Sequence, residues 1–223
     1  MASLAQPRLY RGISAQQRRA ERQTQIMNAA IEIFGEVGYR SASVKTICER
    51  AKLTERYFYE SYENSEALLI AAYIHVTNEL VGDMTTASQT CLQTDSARLN
   101  AILRIYFTRI RDERLAAKVF LLELAGISPA VDEVRSKVLR SLNRLIANRK
   151  VRSVNNRGTQ SLREAGVIGA ILSISIRWLS QDCSTTLADV IEIAASHCTV
   201  GSHEASSTVA EGIPNNGKRK KGV

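Results

Sequence analysis

The sequence predicts an all-α fold: an N-terminal three-helix unit containing a helix-turn-helix, followed by a larger helical domain. Three observations predict it. Apolar residues recur at three- and four-residue intervals in segment after segment from residue 15 to about residue 200, without the strict alternation that marks a half-buried strand. Segment starts coincide with Ser, Thr or Asp in capping positions. Only Ala51, Lys52 and Leu53 separate the second helix from the third, too few residues for anything but a sharp angular junction.

Ser14-Ala15-Gln16-Gln17 has the spacing of a capping box, after which Ile26, Ala29, Ala30, Ile33 and Phe34 fall on one face. A first helix is expected from about residue 15 to residue 36. Gly38 supplies the positive φ or otherwise strained conformation that ends it, and Tyr39 folds back onto the apolar face. Ser43 caps a second helix with Val44, Ile47 and Cys48 inward, ending near Arg50. Thr54 caps a third through Glu60, in which Phe58 points back toward Ile47 while Glu55, Arg56, Tyr57 and Tyr59 keep the surface.

A short capped helix that follows a tight turn and carries polar and aromatic side chains suits the major groove. An arginine reads guanine edges bidentately, and tyrosine hydroxyls and helix N-termini hold phosphates. The candidate DNA-binding residues are Ser43, Lys45, Lys52, Leu53 and Thr54 around the turn, and Glu55, Arg56, Tyr57, Tyr59 and Tyr62 beyond it.

The rest also reads as helix. A fourth is expected from Glu66 to about Val81, and a fifth from Asp95 or Ser96 to roughly Arg111, with Leu99, Ile102, Leu103, Tyr106 and Ile110 inward. A sixth reaches Ala125, carrying Leu115, Val119, Leu122 and a mid-helix Glu123. Ser128-Pro129 is a cap with proline at the first helical position, opening a long helix through Val138, Leu142 and Ile146 toward Val151, which Asn155-Asn156-Arg157-Gly158 breaks. Ser161-x-x-Glu164 and Thr186-x-x-Asp189 are further capping boxes, starting helices that end near Leu179 and Cys198. The helix from Ser161 is apolar on nearly every face, so both its sides must be covered, either inside one subunit or by a second copy. Small residues at Gly166, Gly169, Ala170 and Ser173 let another helix approach closely.

Composition narrows the function classes. The 223 residues carry a formal charge of +8, unevenly placed: residues 1–62 hold ten Lys/Arg against six Asp/Glu, the last 23 hold four against two, and the middle is nearly balanced. Arg8, Arg11, Arg18, Arg19 and Arg22 precede or open the first helix, where a cation gains nothing from the helix dipole and a phosphate partner explains it. Four scattered cysteines, Cys48, Cys91, Cys183 and Cys198, lack zinc-ligand spacing and indicate reduced thiols in a cytosol. Neither a metal nor a cofactor is expected. The N-terminus has no apolar core before Arg8, and the longest charge-free apolar stretch, Ala165 to Ile176, is shorter than the roughly 20 residues a bilayer needs. A soluble protein with no membrane partner is therefore expected.

The segment from about Arg18 to Leu69 resembles the DNA-binding domain of the TetR family of transcriptional regulators. The landmarks are Gly38-Tyr39, Ser43-Val44, Ile47-Cys48, Ala51-Lys52-Leu53-Thr54, Phe58-Tyr59, Tyr62 and Glu66-Ala67-Leu68, in the family's order. Three positions depart from its pattern. Lys52 replaces the turn glycine, Ser65 replaces a lysine that usually approaches a phosphate, and Cys48 stands where alanine is common.

The resemblance implies a bacterial, cytoplasmic, homodimeric repressor released from double-stranded operator DNA by a small-molecule effector held among helices four to eight. It also implies that the last two helices pair with those of a second subunit. On that basis Gly166, Gly169, Ala170, Ser173 and Ile176, with Val190, Ile191 and Ala194, form the expected dimer interface. Polar or aromatic residues on otherwise apolar helices are the candidate effector contacts: His75, Arg104, Tyr106 and Arg109, then Glu123, Arg177 and Trp178.

The expected organisation is a basic flexible arm over 1–14, a helix-turn-helix domain over 15–62, a ligand-binding and dimerisation domain over 63–200, and a disordered basic tail over 201–223. An enzyme finds no support, because no Ser-His-Asp set, glycine-rich phosphate loop, Glu-x-x-His pair or carboxylate cluster is present. The competing reading is a helical ligand-binding or scaffold protein that does not bind DNA specifically.

Overall fold

A computed structural model describes residues 14–91, 94–124, 126–146 and 157–199. The arm expected over 1–14, Ser14 excepted, and the tail expected over 201–223 lie outside these residues, as does the stretch 147–156. Among the described residues there are nine α-helices and one 3-10 turn and no strand: α1 Ala15–Val37, the turn Tyr39–Ser41, α2 Val44–Ala51, α3 Glu55–Tyr59, α4 Ser65–Thr90, α5 Asp95–Asp112, α6 Arg114–Leu122, α7 Pro129–Ile146, α8 Arg157–Ser180 and α9 Leu187–Thr199.

The capping chemistry sets most of these starts. Ser14, Ser43 and Thr94 each accept the N–H of the residue three positions on. Thr186 does the same for Asp189, whose carboxylate in turn accepts the Thr186 hydroxyl at 2.7 Å. Ser128 Oγ accepts from Val131 N, with Pro129 as the first helical residue.

Several expected boundaries are corrected. α4 runs on to Thr90 rather than stopping near Val81. Its second half is threonine-rich, but Thr85, Thr86 and Thr90 return their hydroxyls to carbonyls one turn back, and Leu80 and Met84 bury an inner face. α6 ends at Leu122, which is 47 % exposed rather than inward, so Glu123 is not mid-helix. α8 begins at Arg157, placing Arg157 and Gly158 in a helix instead of a break. Ser161 is therefore no cap, and Glu164 instead accepts a hydrogen bond from Asn143 Nδ2 of α7 at 2.7 Å. Thr54 has the extended backbone of a cap, yet its hydroxyl accepts no N–H; only its carbonyl engages the helix, through Tyr57 N.

One continuous apolar cluster joins the N-terminal unit to the rest, running from Ile26, Ile33 and Phe34 of α1 through Phe58 and Leu69 to Phe107, Trp178 and Ala194. α1 lies between α2 and α3 on one side and α6 on the other, while α4 packs against α5 and α7, and α5 against α9. Gly35 is required where α1 meets α6: an added Cβ would sit 2.6 Å from the Leu115 carbonyl oxygen.

Candidate nucleic-acid interface

The geometry of the interface begins with α1. Gly38, at φ 82°, ends it, and the Tyr39 ring returns edge-on to Phe34 with centroids 5.5 Å apart. α2 is tied to α1 by Arg50, whose guanidinium reaches Glu32 and Glu36, each at 2.8 Å. This pairing holds the Glu36 carboxyl below its usual range, with the hydrogen bond from Arg50 the largest cause. At the turn, Lys52 occupies the left-handed region at φ 55°, ψ 39°, where the family pattern has glycine, and the Leu53 N–H closes onto the Cys48 carbonyl at 3.0 Å. Cys48 is buried, and burial pushes its thiol up, as suits a small core residue.

α3 divides as its sequence requires. Phe58 is fully buried, with Tyr59 edge-on against it at 5.1 Å, and Arg56 and Tyr59 stand out from the surface. The Arg56 side chain is 84 % exposed, and its Nε donates to Glu60 Oε1 at 2.9 Å. Ser43, Lys45, Lys52, Thr54 and Glu55 are exposed beside it, and Leu53 and Tyr57 are half-buried. Tyr62 belongs to the core instead: it is 7 % exposed, and its hydroxyl donates to the Gln23 carbonyl at 3.3 Å.

Two arginines of α1 have roles that spacing does not reveal. The Arg22 guanidinium lies 4.4 Å from the centroid of the Tyr57 ring, and Arg19 Nη2 donates to the Glu60 carbonyl at 2.7 Å, closing the end of α3. Both contacts span more than thirty residues of chain, so no local pattern announces them. The Arg56–Glu60 pair, by contrast, is an i, i+4 spacing visible in the sequence.

The described helices carry a short, outward reading helix braced on α1 by aromatic and arginine contacts, and the comparisons agree with that geometry. A family model described as "Bacterial regulatory proteins, tetR family" matches residues 26–72. Those residues are a TetR-family domain. The fold resemblance extends over the rest of the chain. FadR of Bacillus subtilis, solved in complex with stearoyl-CoA, is 19 % identical with a TM-score of 0.69, covering 81 % of this chain and 99 % of its own. FadR of Bacillus halodurans, a fatty acid degradation regulator, is 18 % identical with a TM-score of 0.67, covering 82 % and 96 %. A tetR-family regulatory protein from Rhodococcus RHA1 is 24 % identical with a TM-score of 0.61, covering 81 % and 95 %. No curated protein sequence matches the chain. The chain thus has the TetR-family regulator fold, with its helix-turn-helix in α2 and α3.

The candidate effector contacts are scattered. Tyr106 is fully buried and hydrogen-bonded to Ser175 Oγ at 2.9 Å, and burial raises its phenol well above the usual range. Trp178 is buried with Nε1 donating to the Thr185 carbonyl at 2.9 Å. Glu123 accepts from the Tyr39 amide, and Arg104 and Arg177 are exposed. His75 lies 3.6 Å from Glu79. Arg109 borders a shallow hollow, partly open to solvent and with room for about one water molecule, between Val76 and Leu80 of α4, Ile110 of α5, and Ala117 and Phe120 of α6. Arg109 meets Glu79, Asp83 and Glu113 at that rim.

The expected dimer residues fall into two groups. Gly166, Gly169, Ser173 and Ile176 lie exposed along one side of α8, and Ala170 is half-buried. Val190, Ile191 and Ala194 are buried within the subunit, where α9 packs on α5 and α8, so the open side of α9 is marked by Ile193 instead, at 47 % exposure. His197 Nδ1 and the Cys198 thiol both face carbonyls of their own helix, and burial pushes that thiol up to about 11. Among the described residues no helix is long and apolar enough to cross a membrane.

Proposed function

We propose that this chain is a cytoplasmic, homodimeric repressor that binds operator DNA sequence-specifically and is released by a small-molecule effector, with no catalytic role. The observation that carries the reading is the division of α3: Phe58 anchors one side in the core while Arg56 and Tyr59 project from the other. On this reading the exposed first-turn arginine meets a guanine edge, and Tyr59 and Lys52 meet the flanking phosphates.

A single head of this size reads too few base pairs for useful discrimination, and two heads about 34–36 Å apart enter successive major grooves. The open face of α8, where an added Cβ at Gly166 or Gly169 meets nothing within 4 Å, supports pairing with a second copy. Leu162, at 76 % exposure, and Ile193 supply apolar surface for the same contact. On this reading the effector enters at the hollow flanked by α4, α5 and α6, which is supported by the connection of α4 to the reading head and the contact of α6 with α1. A similar fold, B. subtilis FadR, holds stearoyl-CoA, which supports a small-molecule effector in this architecture without naming this chain's own. An effector acts only through its differential affinity for the two head spacings.

A gel shift with the duplex immediately upstream of the protein's own coding sequence, against a shuffled duplex of equal length at fixed salt, tests the reading. A discrete complex on the first duplex alone is expected. Equal binding to both, or to neither, favours the ligand-binding or scaffold protein without specific DNA affinity.

A further inference from the structure

The junction between the reading head and the rest of the molecule holds one polar contact that neither DNA binding nor dimerisation explains. Gly38, at φ 82°, takes the chain out of α1, so the Tyr39 N–H begins a 3-10 turn with no carbonyl one turn back to receive it. Glu123, 84 residues later and just past the end of α6, supplies the acceptor: Tyr39 N donates to its Oε2 at 2.7 Å. A carboxylate on an N–H at the start of a helical turn is a charge-assisted bond. A neighbouring contact runs between the same two bodies: Arg40 Nη2 donates to the Gly126 carbonyl at 3.4 Å.

We infer that Glu123 is a positioning residue for DNA binding, fixing the orientation of the reading head against the core through the Tyr39 amide. This rests on the regulator reading above. The apolar contacts between α1 and α6 are non-directional and tolerate small rotations, whereas a short hydrogen bond to one amide at the turn between α1 and α2 does not. Two heads must meet successive grooves together, so a head free to rotate binds with reduced preorganisation. The Glu123 carboxylate lies 3.4 Å from where a Cβ on Gly38 would be, an ordinary contact distance, so glycine there serves the backbone turn at φ 82°.

The test compares the full-length wild type with Glu123→Ala, Glu123→Gln and Glu123→Asp. Gln retains an acceptor oxygen at the same reach; Ala has none, and Asp withdraws its carboxylate by one methylene. Four quantities are measured: amide hydrogen exchange at Tyr39, affinity for the upstream duplex by fluorescence anisotropy at fixed salt, the far-ultraviolet spectrum, and mass by light scattering. Ala and Asp are expected to quicken Tyr39 exchange and to weaken DNA binding about tenfold, with spectrum and mass unchanged, while Gln keeps both near wild type. If Ala fails to fold, the contrast between Asp and Gln carries the same test. Unchanged Tyr39 exchange in Ala and Asp, a Gln variant as impaired as Ala, or faster exchange with unchanged DNA affinity each overturns the assignment. Failure of the wild type itself to shift the upstream duplex overturns the regulator reading and this role with it, and is recognised because the exchange contrast between variants persists without any DNA binding.

Discussion

At the scale of single residues, the proposed base reading rests on Arg56, which pairs with Glu60 on the exposed side of α3. The pair is exposed, and as an ion pair it contributes little to folding. It holds the guanidinium by Nε, and under the proposed function the terminal nitrogens are the donors for a guanine edge. Arg56→Ala is expected to reduce the preference for operator over shuffled DNA by about 1–3 kcal/mol, leaving nonspecific affinity largely intact. Anisotropy titrations on both duplexes at one salt concentration check this, and unchanged discrimination would assign the reading to another side chain. Lys52→Ala should behave differently, weakening both duplexes alike, because a phosphate contact carries no sequence information.

Among the elements, the α1–α6 contact and α4 give opposite expectations for the same substitution. Gly35→Ala places a methyl 2.6 Å from the Leu115 carbonyl oxygen, backbone that cannot move aside, and should destabilise by about 1–3 kcal/mol. Gly82→Ala meets nothing within 4 Å in the middle of α4 and should stabilise by about 0.5–1 kcal/mol. Urea melts of the two variants decide between these signs.

The α1–α2 tie adds a pH dependence at the same scale. Glu36 is held below its ordinary value of 4.5 by the Arg50 hydrogen bond, so its contribution is complete above that value and is lost as pH falls through the lowered one. Amides of α2 should therefore exchange faster relative to α4 as pH drops below 4.5, and Arg50→Ala should remove that dependence. An unchanged profile in the variant would mean the pair does not anchor α2.

These elements also show what was legible in the sequence. Capping spacings located the starts of α1, α2, α7 and α9, and the apolar stripe of α1 with Phe58 gave the core of the reading head, because both signals are local. Ser161-x-x-Glu164 misled because a capping-box spacing also occurs inside helices, and here Glu164 serves a cross-helix bond to Asn143. Tyr62 reads as a DNA contact and Tyr106 and Trp178 as pocket groups, yet each polar atom finds a partner that lets the ring be buried, 39 residues away for Tyr62, 69 for Tyr106 and 7 for Trp178. Glu123 likewise gains its meaning only from Tyr39, far away in sequence.

For the whole molecule, the proposed assembly rests on α8 and α9. Ile168, Ile171, Trp178 and Leu179 face inward from α8, while Gly166, Gly169, Ser173 and Ile176 stay open, so the helix that reads as apolar all round has one side left for a partner. Gly169→Arg separates assembly from folding. Within one subunit the new side chain meets no atom within 4 Å of its Cβ and extends into solvent, so the fold should persist. Across a close helix–helix contact the same arginine is oversized and unpaired, so the dimer should be lost and operator binding with it. Ala194→Arg is the informative contrast. Ala194 is fully buried inside the subunit, and that variant should lose helical signal rather than mass alone. Light scattering and circular dichroism on both proteins give the answer: a folded, monomeric Gly169→Arg that no longer shifts operator supports the α8 face, whereas a variant that remains dimeric and DNA-bound places the interface elsewhere.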